Sequence, residues 1–95
     1  MILELSGQSA KVTATKTIVE TPAEANVSGT NLVGRTKLTI RNDSSDTRIR
    51  IGRLTTNLQR DGQVIEPGDT ITLFPTTTIY ACSEGAAIKT NISEN

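Results

Sequence analysis

The amino-acid sequence predicts an all-β domain, a small antiparallel β-sandwich of jelly-roll or Ig-like type or else a small barrel, and three observations carry that reading. Short runs rich in Thr, Ile and Val alternate apolar with polar residues along most of the chain. Clusters of Gly, Pro, Asn, Asp and Ser separate those runs at spacings suited to turns. Nowhere does a helical period persist. A length of 95 residues is that of a single domain, 1–95.

Taken in order, Lys11 to Val19 places Val12, Ala14 and Ile18 on one face and Thr13, Thr15 and Thr17 on the other, the period of a half-buried strand. Residues 21–34 are rich in breakers and read as a long loop, with one helical turn opening at Pro22. Arg35 to Arg41 is a strand with Leu38 and Ile40 inward. Asn42-Asp43-Ser44-Ser45-Asp46 is a turn, and Thr47 to Gly52 is a second strand with Ile49 and Ile51 inward. The three together predict an antiparallel hairpin.

Asp61-Gly62, between Leu58 and Val64, predicts another hairpin, because both residues tolerate positive φ. Glu66-Pro67-Gly68-Asp69 has Pro and Gly where a type II turn requires them. It leads into a strand over 70–74, which Pro75 interrupts. Strands follow at Thr78 to Cys82 and Ala86 to Ile92, separated by the turn Ser83-Glu84-Gly85. Phe74 and Tyr80 fall within strands and are expected in the core.

Composition narrows the chemistry. The chain has no His, no Trp, one Cys, one Tyr and one Phe. A nucleophile with a His base, a CxxC zinc site and an intrachain disulfide are all unavailable, so the expectation is a non-enzymatic protein with no cofactor and no metal. The lone Cys82 reads as a small buried hydrophobe. A core of small aliphatics lacks the roughly 150–250 Å² that each aromatic ring would bury, which favours completion by other subunits. Residues 1–9 are too short and too polar for a signal-peptide core, and no apolar run reaches the length of a bilayer span. No membrane partner is expected.

Ten basic and ten acidic residues cancel, so charge matters locally rather than over the whole chain. If the predicted hairpin holds, Arg35, Lys37, Arg41, Arg48 and Arg50 share its outer face as a candidate partner-binding basic patch. The turn acids Asp43 and Asp46, or an anionic partner, would compensate it. Residues 1–9, with Ile2, Leu3 and Leu5, form a candidate N-terminal arm. Paired carboxylates with the setting of a glycosidase, and an EF-hand spacing, are both missing. Asn26, Asn42 and Asn91 each head a glycosylation tripeptide, as chance allows in so Asn-, Ser- and Thr-rich a chain.

The segment order Lys37 to Asn42, Ile49-Arg50-Ile51-Gly52, Val64 to Leu73 with its Pro67-Gly68 turn, Ile79-Tyr80-Ala81-Cys82 and a last strand from Ile88 to Ile92 resembles small all-β virion proteins of tailed bacteriophages. The resemblance covers about the C-terminal two-thirds and carries over no functional residues. It implies a capsid-decoration, head-fibre or tail-associated module, made in the bacterial host cytoplasm and located in the virion. It also implies a homo-oligomer, a trimer or other small ring, bound to a phage capsid or tail protein. Two alternatives stand beside it. A nucleic-acid-binding small barrel would use the basic hairpin face, although aromatic scarcity opposes single-strand binding. A carbohydrate-binding or adhesin module would need an exposed ring, which only Phe74 or Tyr80 could supply.

Overall fold

The computed structural model describes residues 12–95 except Ser28 and Thr76. The expected arm, with Ile2, Leu3 and Leu5, therefore lies outside the described residues. Eight strands form, β1 (Val12–Ile18), β2 (Ala23–Glu24), β3 (Leu38–Asn42), β4 (Ile49–Gly52), β5 (Gln63–Ile65), β6 (Thr70–Leu73), β7 (Tyr80–Ser83) and β8 (Ile88–Glu94), with one helical turn, α1 (Leu58–Asp61), between β4 and β5.

The strands make two four-stranded sheets, β1-β8-β3-β6 and β2-β7-β4-β5, in which every described pair is antiparallel. Strand β4 pairs with β5, β3 with β6, β2 with β7 and β1 with β8, so the chain runs out through four strands and returns along itself. The pairs β3–β8 and β4–β7 roll this long double ribbon into two layers. Such an order is that of a jelly roll, neither Ig-like nor a closed barrel.

Between the sheets lies an aliphatic core of Ile18, Ala25, Leu38, Ile40, Ile49, Ile51, Ile65, Ile79, Ala81, Ile88 and Ile92, joined by half-buried Val27, Ile71 and Leu73. Eight of the eleven fully buried members are Ile. A β-branched side chain is stiff at χ1 and suits a pleated surface, so the same residue type that forms the strands also fills the space between them. The predicted inward sets, Leu38 with Ile40 and Ile49 with Ile51, are all buried.

Four expectations need correction. Strands β3 and β4 do not form a hairpin, because each lies in a different sheet, and the 43–48 connection arches across the core. Its anchor is Asn42, fully buried, whose Nδ2 donates to Thr47 O at 2.8 Å and Ile65 O at 2.9 Å, while its Oδ1 accepts from Ser44 N at 2.9 Å. Of the seven connections between the described strands only that from β4 to β5 stays within a sheet.

Asp61-Gly62 is likewise no two-residue hairpin tip, since Leu58–Asp61 are helical and the link spans 53–62. Leu58 is buried against Gly52 and Gly62, which draws the segment into a turn of helix. In place of a helical turn at Pro22, β2 interrupts the 21–34 loop and pairs Ala23 with Ala81. Finally, Phe74 is 74% exposed rather than core, because β6 ends at Leu73 and Pro75 carries the chain away.

The Pro67-Gly68 turn forms as expected. Gly68 has φ +82°, and Asp69 N donates to Glu66 O at 3.0 Å.

Candidate functional site

Strand register sorts the loops onto two ends of very different chemistry. At one end Leu38 pairs with both Leu73 and Glu94, Val12 pairs with Glu94, and Gly52 pairs with Tyr80. Loops 25–37, 53–62 and 74–79 therefore gather there, and the chain before Val12 joins the domain at the same place. At the opposite end Ile18 pairs with Ile88, Arg41 with Thr70 and Ile49 with Ser83, which collects loops 19–22, 43–48, 66–69 and 84–87.

The second end is polar and internally bonded. Gly68 N donates to Asn42 O at 2.8 Å, Ser83 N to Val19 O at 2.8 Å and Glu84 N to Arg48 O at 3.0 Å. Glu84 receives two guanidiniums. Arg48 donates through Nε at 3.1 Å and Nη2 at 2.9 Å to Oε1, and Arg50 donates through Nε to Oε2. These hydrogen bonds, Arg50's foremost, hold the Glu84 carboxyl below its usual range. Arg50 also donates Nη1 to Gly62 O at 2.9 Å, tying it to the start of β5. Cys82, its register partner on β7, is buried; burial pushes that thiol up, and the guanidinium opposes the shift.

The predicted basic face is thus dismantled. Arg41 lies on the outside of one sheet and pairs with Asp43 at 3.0 Å, whereas Arg48 and Arg50 lie on the outside of the other. Lys37 is exposed ahead of β3. Arg35 is turned inward, its side chain 4% exposed, and bonds Glu94 Oε2 at 3.0 Å, Ala25 O at 3.1 Å and Thr77 O at 3.3 Å. Period two does not govern it, because regular strand begins only at Leu38. Of the expected compensating acids, Asp43 serves Arg41, and Asp46 Oδ1 accepts from Ser44 and Thr47 hydroxyls.

At the first end the backbone is held by a buried polar cluster. Glu94, 1% exposed, accepts Val27 N at 2.8 Å and Leu32 N at 3.0 Å besides Arg35, so one carboxylate fixes the whole 25–35 loop. Asn26 adds to it, with Oδ1 accepting Gly29 N at 2.8 Å and Lys16 Nζ at 3.2 Å. Asn26 and Asn42 are both fully buried and spent on internal bonds, unsuited to glycosylation. Glu94 was legible by parity, since it continues the inward series Ile88, Thr90, Ile92.

Over this framework three large apolar side chains stand exposed among polar ones. Val33 is 91% exposed, Leu54 73% and Phe74 74%, one from each of the three loops. Beside Phe74 lies a shallow hollow of about 270 Å³ lined by Arg53, Leu73, Phe74, Pro75, Thr77 and Ile79. A second hollow, of about 370 Å³, flanks Leu54 and Leu58 and shares Arg53 with the first. Arg53 forms no ion pair among the described residues. Among those residues no three Cys, Asp or Glu side chains gather as a cation site would require, and no helix is long and apolar enough to cross a membrane.

No protein-family model matches the chain. Neither a curated protein nor a solved structure matches it either. The end that carries the Phe74 hollow is therefore read from its geometry alone.

Proposed function

We propose that this protein is a non-enzymatic structural component of a phage virion, a capsid-decoration or fibre- and tail-attachment module that works through self-association and protein–protein contact. The observation that supports this most is the gathering of Val33, Leu54 and Phe74 on the three loops of one end, where the chain before Val12 also enters. Exposed apolar side chains concentrated in one place mark contact surfaces, and the opposite end spends its charges on itself. Jelly rolls recur in viral capsid proteins, which adds an analogy of fold and no more.

The test is co-sedimentation of the purified protein with phage capsids, alongside its solution mass. Removal of residues 1–9 is expected to abolish attachment while leaving the circular dichroism of the domain unchanged. Unchanged attachment would refute the role given to this end.

A phosphate-contacting role for residues 35–53 loses its support, because Arg35 is buried and Arg48 and Arg50 share Glu84. The carbohydrate-binding alternative gains one observation, the exposed Phe74 ring beside a hollow. Against it, the described lining offers only Arg53 and Thr77 as polar side chains, few for orienting a sugar. Calorimetric titration with bacterial surface oligosaccharides decides the matter; saturable heat that Phe74→Ala removes would move the assignment to a sugar.

A further inference from the structure

We propose that the hollow beside Phe74 is a socket for residues 2–5 of a neighbouring copy of this chain, so that each protomer is completed at that end by the next. The inference rests on the self-associating reading above and names the contact that carries it.

The two partners match in chemistry. The socket is apolar through Leu73, Phe74, Pro75 and Ile79, with Arg53 as its one cation and no carboxylate opposite that cation among the described residues. The segment carries Ile2, Leu3 and Leu5 around one carboxylate, Glu4. Apolar side chains would cover the Phe74 ring while Glu4 meets Arg53, an arrangement in which charge fixes register and burial holds it.

Topology favours a neighbouring copy as the source of the segment. Val12 pairs with Glu94, Glu94 with Leu38 and Leu38 with Leu73, so the root of the segment and the socket lie at the same end of one sheet but at its opposite edges. Leu5 stands seven residues before Val12, a reach of about 23 Å when extended. The width of the sheet is three strand spacings, about 14 Å. Length therefore suffices for either copy. The protomer's own end, however, also carries the 25–35 loop, which Glu94 binds beside the root through Val27 N and Leu32 N, so a segment crossing that end would have to pass it. Rotation about an axis parallel to the strands instead sets each root beside the socket edge of the next protomer. That is a heterologous contact, and heterologous contacts close into rings when the rotation allows.

The test uses the full chain with Leu3→Cys and Phe74→Cys together; the native Cys82 is buried. Oxidation is expected to give covalent oligomers on a non-reducing denaturing gel, ending at one closed species. Cross-linking confined to monomers, or no cross-link, would overturn the proposal. As a second measurement, Arg53→Glu is expected to weaken association by about tenfold or more through like-charge contact with Glu4, and Glu4→Arg added to it to restore association. Arg53 is exposed, so the variant folds, and failure of the second change to restore association counts against the socket. Capsid co-sedimentation separates the two claims. A closed ring that ignores capsids refutes the virion reading and leaves the socket standing, whereas a monomer that binds them does the reverse.

Discussion

Glu84 serves two guanidiniums with one carboxylate, and its behaviour in acid follows from that. Arg48 and Arg50 project from the same outer face of one sheet, two residues apart, and would repel without it. Because the guanidinium hydrogen bonds stabilise the ionised form, the folded-state value lies below the ordinary 4.5. A lowered carboxyl stabilises the fold fully above the unfolded value, and that contribution is lost as pH falls through the folded value. The urea midpoint is therefore expected to drop between pH 6 and pH 3, and the drop should be smaller in Glu84→Gln, which has no proton to gain there. Equal drops in the two proteins would show that other carboxyls carry the effect. Cys82 titrates in the opposite sense: its raised value keeps the buried thiol protonated and poorly nucleophilic at neutral pH.

Among the elements, the link between β4 and β5 is tightly fitted at Gly62. A Cβ on Gly62 would stand 2.7 Å from Leu58 O, 2.8 Å from Leu58 Cδ1 and 3.0 Å from Ile51 O. Two of those atoms are backbone and cannot swing aside. Gly62→Ala is expected to lower stability by about 2 kcal/mol or more in chemical denaturation, as overpacking does, whereas Gly85→Ala, with open space around it, should change little. What the sequence made legible here was instructive. Alternation located the strands because period two is imposed by the backbone itself, and Leu38, Ile40, Ile49 and Ile51 were placed inward on that ground alone. Alternation is blind to sheet membership, since a strand that pairs with its predecessor and one that crosses the core show the same pattern. Hence the 35–53 hairpin, and the shared face it implied, did not form. Turn residues were equally silent, because Asn42 and its neighbours cap an arch with the chemistry that would cap a hairpin. Phe74 was recoverable: Ile71 and Leu73 are the inward pair of β6, so the residue after Leu73 must point away.

At the scale of the molecule, the first and last described strands, β1 and β8, pair side by side in one sheet, with β1 at its edge. Strand β8 lies between β1 and β3, and Glu94 at its end also secures the 25–35 loop. A chain ending at residue 87 would lack that strand, leaving β1 without a neighbour and β3 paired on one side only. It is expected not to fold, with loss of the β signal in far-UV circular dichroism and of any cooperative urea transition; a cooperative transition in that fragment would show that the second sheet carries the fold. The same arrangement bears on synthesis. Strand β8, one of the two inner strands of that sheet, is made after the other seven described strands, so β1 and β3 are made long before the partner they share. Until β8 is made the chain holds open strand edges that only β8 closes in this sheet, a window in which slow elongation or crowding of nascent copies would favour pairing with the wrong molecule.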